Sequence, residues 1–326
     1  MVPEFANYEI DGRLGYDDMG SSSLLKSSLI TAMMCSCASE PWPDPPAVDR
    51  AAFLTEHATW RSERAQSLRD NWVGLAGLWL LSEGRTAFGT DSSLPIVVAE
   101  SGKRRLIGTF VRNGRTVRLE PIDSGLLLST DNHPYRPIDS NVVLLTDEDS
   151  VPSYVRFGSF RFWIHLVDDR EYVRVMDLRS PRLKEFTPAP EYQPDPRWRV
   201  PARFHPYTQP KVFRIAEVTG DDETVSVPGE LEFPVRGRQF HLRAFAVPGD
   251  STTLWLMFKD STNLRDTYGA GRYLWVPAPD STGWTIIDFN RAVSPPCEYT
   301  AYATCPLPPP ENRLAAWIEA GEKRAH

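Results

Sequence analysis

The chain has 326 residues, of which 41% are hydrophobic, and this length is typical of about two domains with buried cores. Its formal net charge is −7, without a block of five like charges. Nucleic-acid-binding proteins need a basic stripe or patch, so we expect no nucleic-acid partner. No run of eighteen apolar residues is present in the sequence, so we expect no transmembrane helix.

The first 48 residues predict either an export signal or a disordered arm. From Met19 onward, one lysine, a short apolar run and the Met-Cys-Ser-Cys sequence at 34–37 resemble a bacterial lipoprotein signal, with Cys37 as the lipidated residue. The alternative is a disordered arm with a hydrophobic patch. Residues 39–48 contain four prolines and are expected to form a linker. The first interpretation predicts an exported protein with a lipid anchor, and the second predicts a cytoplasmic one.

Residues 49–71 form the clearest helical segment and are expected to lead into the first folded body. Asp49 can cap the helix at its start. One face of the helix is formed by residues that recur at helical spacing, namely Phe53, Leu54, His57, Trp60 and Leu68. The other face carries arginines, including Arg61 and Arg64, and we expect it to be solvated and not to bind a partner.

Residues 72–180 predict a β-sandwich. Asn113-Gly114 lies between apolar segments at 105–111 and 116–119 and is a strong hairpin signal. Evenly spaced short strands with turn signals between them are typical of sandwiches. Further strands are predicted at 125–128, 142–145, 153–157, 161–167 and 172–177.

The order of short motifs in this region resembles forkhead-associated (FHA) phosphopeptide-binding domains. The motifs are Phe88-Gly89, Ile96-Val-Val, Gly108-Thr-Phe and Gly158-Ser-Phe-Arg-Phe. Two features of that family are missing, because Thr90 stands where a phosphate-reading arginine is expected and no Ser-x-x-His pair follows. Phosphothreonine binding needs a set of charge-assisted donors. The resemblance therefore implies an FHA-like architecture without the binding activity.

Residues 181–326 predict a second β body that ends in an irregular C-terminal arm. Strands are expected at 211–218, 224–227, 230–235, 239–245, 253–258, 271–277 and 284–289. A short helix is expected over Asn312–Glu322, with Leu314, Trp317 and Ile318 on one face. The expected fold class is therefore mainly β, with two sandwich-like or barrel-like bodies, an N-terminal helix and a short C-terminal helix.

The second body resembles the bacterial DUF1684 family, a domain of unknown function. The residues that carry the resemblance are Ala202-Arg-Phe-x-Pro-Tyr207, Phe258-Lys-Asp260, Thr267-Tyr-Gly-Ala-Gly-Arg-Tyr-Leu274, Asp288-Phe-Asn290, Pro295-Pro-Cys297, Tyr302-Ala-Thr-Cys-Pro-Leu-Pro-Pro-Pro-Glu-Asn-Arg-Leu314 and Ile318-Glu-Ala-Gly-Glu-Lys323. Upstream, Gly77-Leu-Trp-Leu-Leu-x-Glu-Gly84 and Phe88-Gly-Thr-Asp91 are also similar. The resemblance implies no particular chemistry, because the family has no established activity.

The C-terminal stretch is dense in polar side chains and is the expected binding site. Arg272 follows two glycines and is placed to pair either with a ligand anion or with Asp260 or Asp288, and we favour the internal pairing. The glycines also allow a close backbone approach or a tight hairpin. The candidate pocket residues are Asp260, Tyr268, Arg272, Asp288, Asn290, Tyr302, Glu311, Asn312 and Arg313.

Cys297 and Cys305 have two alternative roles. In an exported protein they are expected to form a disulfide, which contributes about 2.5 kcal/mol by constraining the unfolded chain. In a cytoplasmic protein one of them can act as a nucleophilic thiol, given a lowered pKa and a nearby base. No Ser-His-Asp or Cys-His-Asn spacing is visible, although such groups need not be close in sequence.

The six histidines are scattered, with no His-x-x-x-His and no Cys-x-x-Cys, so no metal site is expected. Gly269-Ala-Gly271 has no third glycine and no strand–helix context, so no dinucleotide cofactor is expected either. The favoured function is an exported binding or scaffold protein whose arm closes a pocket for an unknown small molecule or protein. The alternative is a small-molecule hydrolase that uses Asp288 or Glu311 as acid or base and Arg272 to bind an anionic substrate.

Overall fold

The computed structural model describes residues 42–45, 47–99, 105–130, 133–218, 220 and 222–325. The predicted signal, with Cys37, lies outside the described residues. Within them, no helix is both long enough and apolar enough to cross a membrane.

The predicted N-terminal helix is confirmed as α1 (Arg50–Leu68). Asp49 caps it, because its carboxylate accepts a hydrogen bond from the backbone N–H of Ala52 at 2.7 Å. The helix continues into a π-helical turn, Arg69–Val73, which delivers the chain to the first sheet.

The N-terminal sandwich consists of two sheets. The first has the strand order β1-β11-β10-β9-β6-β7 and the second the order β3-β2-β4-β5-β8. The strands are β1 (Leu75–Leu80), β2 (Gly84–Gly89), β3 (Ile96–Val97), β4 (Leu106–Asn113), β5 (Thr116–Pro121), β6 (Leu127–Thr130), β7 (Arg136–Pro137), β8 (Val142–Leu144), β9 (Ser153–Phe157), β10 (Phe160–Val167) and β11 (Arg170–Asp177).

A single hydrophobic core lies between these two sheets. Phe88 of the second sheet contacts Phe162 of the first, with ring centroids 5.2 Å apart. The predicted hairpin is present as well, since Asn113 pairs with Thr116 and Gly114 has a φ of 58°. The prediction of a mainly β first body is therefore confirmed.

The C-terminal barrel follows a short helix, α2 (Pro181–Glu185). Its strands are β12 (Arg199–Ala216), β13 (Asp222–Val235), β14 (Arg238–Val247), β15 (Asp250–Phe258), β16 (Arg272–Pro277) and β17 (Trp284–Asp288). The first five form an antiparallel meander, and β17 returns to pair with β12. The Thr285 hydroxyl donates a hydrogen bond to the Pro277 carbonyl at 2.7 Å, so β16 and β17 lie side by side and the sheet is nearly closed.

Strand β15 is buried on both of its faces. Leu254, Leu256 and Phe258 belong to the core inside the barrel. Trp255 and Met257 alternate with them and belong to a second core on the outer face. An outer face this apolar needs a cover, and the C-terminal arm (residues 289–325) provides it.

The C-terminal arm crosses the barrel with short 3₁₀ turns and isolated β bridges. The helix predicted over Asn312–Glu322 is wrong, because only the turn Pro310–Asn312 is helical in this region. The backbone polar groups of this segment bind backbone groups and side chains of other segments instead of one another. The Ile318 carbonyl, for example, accepts a hydrogen bond from Arg272 at 3.0 Å, and the Ile318 N–H donates to Asp260 at 2.7 Å.

The arginine face of α1 packs against the end of the arm. Glu322 is 1% exposed, and one of its carboxylate oxygens lies 3.1 Å from Arg61 Nη1 and 3.7 Å from Arg64 Nε. Arg64 also donates to the Ser294 carbonyl at 2.8 Å. The expectation that this helix face is solvated is therefore wrong for Arg61 and Arg64, because a buried carboxylate requires cationic partners.

Candidate functional site

Arg272, for which an internal ion pair was favoured over anion binding, is fully buried and internally paired. Its Nη2 atom lies 3.1 Å from Asp260, and both side chains are 0% exposed. The guanidinium also donates to the carbonyls of Ile318 and Ala320. Burial lowers the pKa of Arg272, and the charge of Asp260 opposes that shift. Arg272 is thus inaccessible to an anionic substrate, and its role is to hold the arm against the barrel.

Gly271 permits this close packing of the arm. Its φ is +116°, and a Cβ atom at this position would lie 2.6 Å from Pro308 Cγ and 2.8 Å from the Phe258 carbonyl. Gly271 therefore serves a close approach of the backbone, which is one of the two roles expected for the glycines; the other is a tight hairpin.

Asn312 joins the arm to two barrel strands. Its side-chain oxygen accepts the Arg243 N–H at 2.9 Å, and its NH₂ group donates to the carbonyls of Arg243 and Met257 at 3.0 and 2.8 Å. The amide is completely buried. Asn312 therefore replaces ladder hydrogen bonds that the irregular arm cannot form.

Asp288 and Asn290 form a separate structural group at the start of the arm. Asp288 caps the turn Phe289–Arg291, and Asn290 exchanges two hydrogen bonds with the backbone of Asp195 at 2.9 and 3.0 Å. The hypothesis of a hydrolase built on Asp288, Glu311 and Arg272 gains no support, because these side chains contact different partners and Arg272 is inaccessible.

Tyr302 and Arg313 also lie apart from one another. Tyr302 packs beside the small apolar cluster of Leu75, Trp163 and Met176 on the sandwich. Arg313 is exposed and forms a backbone bridge with Lys259, whose pKa is lowered by burial and by the charge of Arg313.

Cys297 and Cys305 are adjacent thiols in the structure. The Cys297 N–H donates to the Cys305 sulfur at 3.3 Å. A hydrogen bond with Cys305 lowers the pKa of the Cys297 thiol, and burial raises the pKa of the neighbouring Tyr268 hydroxyl. The two residues are in contact, and the disulfide between them stays a prediction.

One predicted residue, Glu311, borders an open cleft of about 210 Å³. We call it the arm cleft, and its walls are Phe213, Arg214, Ile215, Arg243, Phe245, Pro309, Pro310 and Glu311. The Arg243 guanidinium lies over the Phe213 ring at 4.5 Å and 3.1 Å from the exposed carboxylate of Glu311. The Nε atom of Arg243 is buried and has no hydrogen-bond partner.

Arg243 and Phe213 are not among the site residues predicted from the sequence. Alternation along β14 places Arg243 on the outer face, because Leu242 and Ala244 point into the barrel. Nothing in the sequence shows that Pro309 and Glu311 pass over it. Among the described residues, no group of three or more histidine, cysteine, aspartate or glutamate side chains is arranged to hold a metal.

The family model described as "Protein of unknown function (DUF1684)" matches residues 184–323. Residues 184–323 are a DUF1684 domain. The match covers the barrel and the arm, including Arg272, Asn290 and Asn312, and the upstream similarities at 77–84 and 88–91 lie outside it. In this DUF1684 protein, the motif residues described above mainly join the arm to the barrel.

Among solved structures, the chain is similar to an uncharacterized protein from Haloarcula marismortui determined by solution NMR. The two are 32% identical, and the similar region covers 44% of this chain and 80% of that one, with a TM-score of 0.38. None of the curated proteins matches this chain.

Proposed function

We propose that this DUF1684 protein binds a small anionic ligand, a carboxylate with an apolar or aromatic portion, in the arm cleft. The observation that carries the proposal is the position of the Arg243 guanidinium in an open, largely apolar cleft, beside the exposed carboxylate of Glu311. A planar guanidinium offers paired donors that match a carboxylate.

The carboxylate of Glu311 shows that the Arg243 guanidinium can pair with an anion in this cleft. It lies 3.1 Å from Arg243 Nη1 on the exposed rim of the cleft. An exposed ion pair of this kind contributes little to stability, so an incoming carboxylate can displace it at small cost. Glu311 then moves toward solvent, and the arm residues Pro309 and Pro310 remain as the wall of the cleft.

The apolar walls and the volume define the rest of the ligand. Phe213, Ile215 and Phe245 line the cleft and can cover an aromatic ring or a short alkyl chain. Its volume of about 210 Å³ is below the roughly 300–1,000 Å³ of sites that hold drug-sized molecules. The expected ligand is therefore a compact metabolite.

The test is a binding titration with benzoate, its neutral isostere benzamide, and inorganic phosphate, followed by calorimetry and thermal denaturation. We expect benzoate to bind and benzamide to bind much more weakly. At a hundredfold excess over its Kd, benzoate should stabilise the protein by about 2.7 kcal/mol. Phosphate binding without benzoate binding would contradict the apolar part of the proposal.

Arg243→Gln should abolish binding, and Glu311→Gln should strengthen it by removing the internal competitor. The matched control is Arg238→Gln, since Arg238 lies on the same strand over the Phe240 ring and does not line the cleft. Equal benzoate affinity in wild type, Arg243→Gln and Arg238→Gln would refute the proposal.

We also propose that the protein is exported and lipidated at Cys37. Both steps are supported by the signal-like sequence before the proline-rich linker. Expression in bacteria and mass spectrometry of the membrane fraction test them. We expect a mature protein that begins with a lipidated Cys37, and a soluble chain that retains residues before Cys37 would contradict export.

A further inference from the structure

Three polar side chains meet where the arm crosses the sandwich. Asp147 lies in the loop between β8 and β9, His165 on β10 and Thr304 on the arm. Asp147 Oδ2 is 2.6 Å from His165 Nδ1, and His165 Nε2 is 3.3 Å from the Thr304 hydroxyl. The order of groups is a carboxylate, an imidazole and a hydroxyl, which is the arrangement of a hydrolytic triad.

The Asp147 carboxylate is held in place by its neighbours. Its Oδ1 atom accepts the Leu166 N–H at 3.0 Å, and its Oδ2 atom accepts the Trp163 indole N–H at 3.3 Å. The backbone N–H of Asp147 itself donates to the Ile164 carbonyl at 2.9 Å. A carboxylate fixed in this way holds the imidazole in one orientation and one tautomer.

The protonation states at neutral pH are those that a triad requires. Burial and the charge of Arg174 lower the pKa of His165, so the ring is neutral. Burial acts to raise the pKa of Asp147, but the hydrogen bonds from His165 and from the Leu166 N–H, together with the charge of Arg174, keep the pKa below its ordinary value. His165 Nδ1–H therefore donates to Asp147, and its Nε2 lone pair faces the Thr304 hydroxyl.

Arg174 places a positive charge beside the same hydroxyl. Its Nη2 atom donates to Thr304 Oγ1 at 3.4 Å, and its guanidinium lies over the Trp72 ring at 5.7 Å. Arg174 is buried, so its charge is weakly screened. A cation at this position stabilises the negative charge that develops on a carbonyl oxygen attacked by Thr304.

We propose that Asp147, His165 and Thr304 form a catalytic site that hydrolyses small carboxylic esters. The Thr304 oxygen attacks the ester carbonyl while His165 Nε2 takes the hydroxyl proton, and Arg174 stabilises the oxyanion. The ester C–O bond breaks, and His165 passes the proton to the leaving alcohol. Water then attacks the acyl-threonine with His165 as base, which releases the acid and restores the Thr304 hydroxyl.

The three side chains of this site are partly open to solvent. The side chains of His165 and Asp147 are 15% and 24% exposed, and Thr304 is half-buried. The site shares no residue with the arm cleft, so the ester hydrolysis proposed here does not depend on the binding proposed there.

The test is hydrolysis of p-nitrophenyl acetate by the purified full chain, together with intact-mass detection of an acetylated intermediate. Thr304→Val keeps the side-chain shape and removes the hydroxyl, and His165→Gln removes the base. Each should lower kcat/KM by about 10²- to 10⁴-fold, while Thr304→Ser retains activity. The wild-type rate should rise with pH around a midpoint below the ordinary histidine value of about 6.5.

The matched control is His205→Gln. His205 also pairs with a carboxylate, Glu232 at 2.8 Å, but lies exposed on the barrel and should not contribute to the rate. Circular dichroism establishes that each variant is folded, and if His165→Gln unfolds, the Thr304→Val and Thr304→Ser pair decides. An unchanged rate in folded Thr304→Val, or an equal loss in His205→Gln, would overturn the proposal.

Discussion

Because Arg272 and Asp260 form a buried ion pair, we predict that attachment of the arm to the barrel depends on the charge of Arg272. Arg272→Met removes the guanidinium and leaves the Asp260 carboxylate buried without a cation, although the Ile318 N–H and the Thr262 hydroxyl still donate hydrogen bonds to it. It also leaves two buried carbonyls, those of Ile318 and Ala320, without their donor. Removing one partner of a buried ion pair costs about 3–5 kcal/mol.

For a cooperative unit of the size of the barrel and arm, that loss corresponds to a decrease in Tm of about 6–20 °C. Thermal and urea denaturation, followed by circular dichroism, measure it. Asp260→Asn in the Arg272→Met background should restore part of the stability, because it neutralises the carboxylate that has lost its partner.

Arg236→Met is the matched control for Arg272→Met. Arg236 Nη2 lies 2.9 Å from Oε2 of Glu319, and Glu319 is on the same arm segment as Ile318 and Ala320. The side chains of Arg236 and Glu319 are 63% and 42% exposed. Exposed pairs contribute about 0–1 kcal/mol, so this variant should melt close to wild type. If Arg272→Met loses no more stability than Arg236→Met, then Arg272 does not hold the arm and our assignment of its role is wrong.

Three further predictions concern other parts of the barrel and arm. Asn312→Ala should lower the free energy of unfolding by about 1–3 kcal/mol in urea titration, because it leaves buried backbone groups without partners, and an unchanged midpoint would refute the bridging role. Burial, together with nearby carboxylates, raises the pKa of Glu223 to about 7, so the folded protein binds this proton more tightly than the unfolded chain does. The free energy of unfolding should therefore fall as the pH rises from about 4.5 to about 7. Glu223→Gln should raise Tm at about pH 8 but not at about pH 4.5. Equal slopes of Tm against pH in wild type and variant would contradict this. Mild oxidation should join Cys297 to Cys305 within one chain and stabilise it by about 2.5 kcal/mol, and thiol titration that still finds both cysteines free would exclude the bond.

The sequence was sufficient to predict the local elements and the family motifs. The cap at Asp49 and the Asn113-Gly114 turn follow from short-range chemistry, which depends on a few neighbouring residues. An internal pairing of Arg272 with Asp260 or Asp288 was also expected, and Asp260 is the partner in the structure. The domain boundaries and the FHA-like architecture stay predictions.

The features that could not be predicted from the sequence are contacts between distant segments of the chain. The segment Asn312–Glu322 has a helical apolar pattern, but its backbone groups form their hydrogen bonds with distant backbone groups and with the side chains of Arg272 and Asp260. His165 and Thr304 are 139 positions apart, so no spacing rule could have brought them together. Arg243 lacks a motif, and its cleft exists only because the arm crosses the barrel.

The contact between Arg61 and Glu322 has a consequence for how the chain is made. These residues are 261 positions apart, so the helix leaves the ribosome long before its buried anionic partner has been synthesised. At 5–20 residues per second, the delay is about 13–52 s. During that time the arginine face of the helix has no Glu322 to bind. We therefore expect docking of this helix face onto Glu322 to come late in folding, and removal of residues 322–326 should weaken the docking while the contacts of Arg61 with Glu191 and of Arg64 with the Ser294 carbonyl remain.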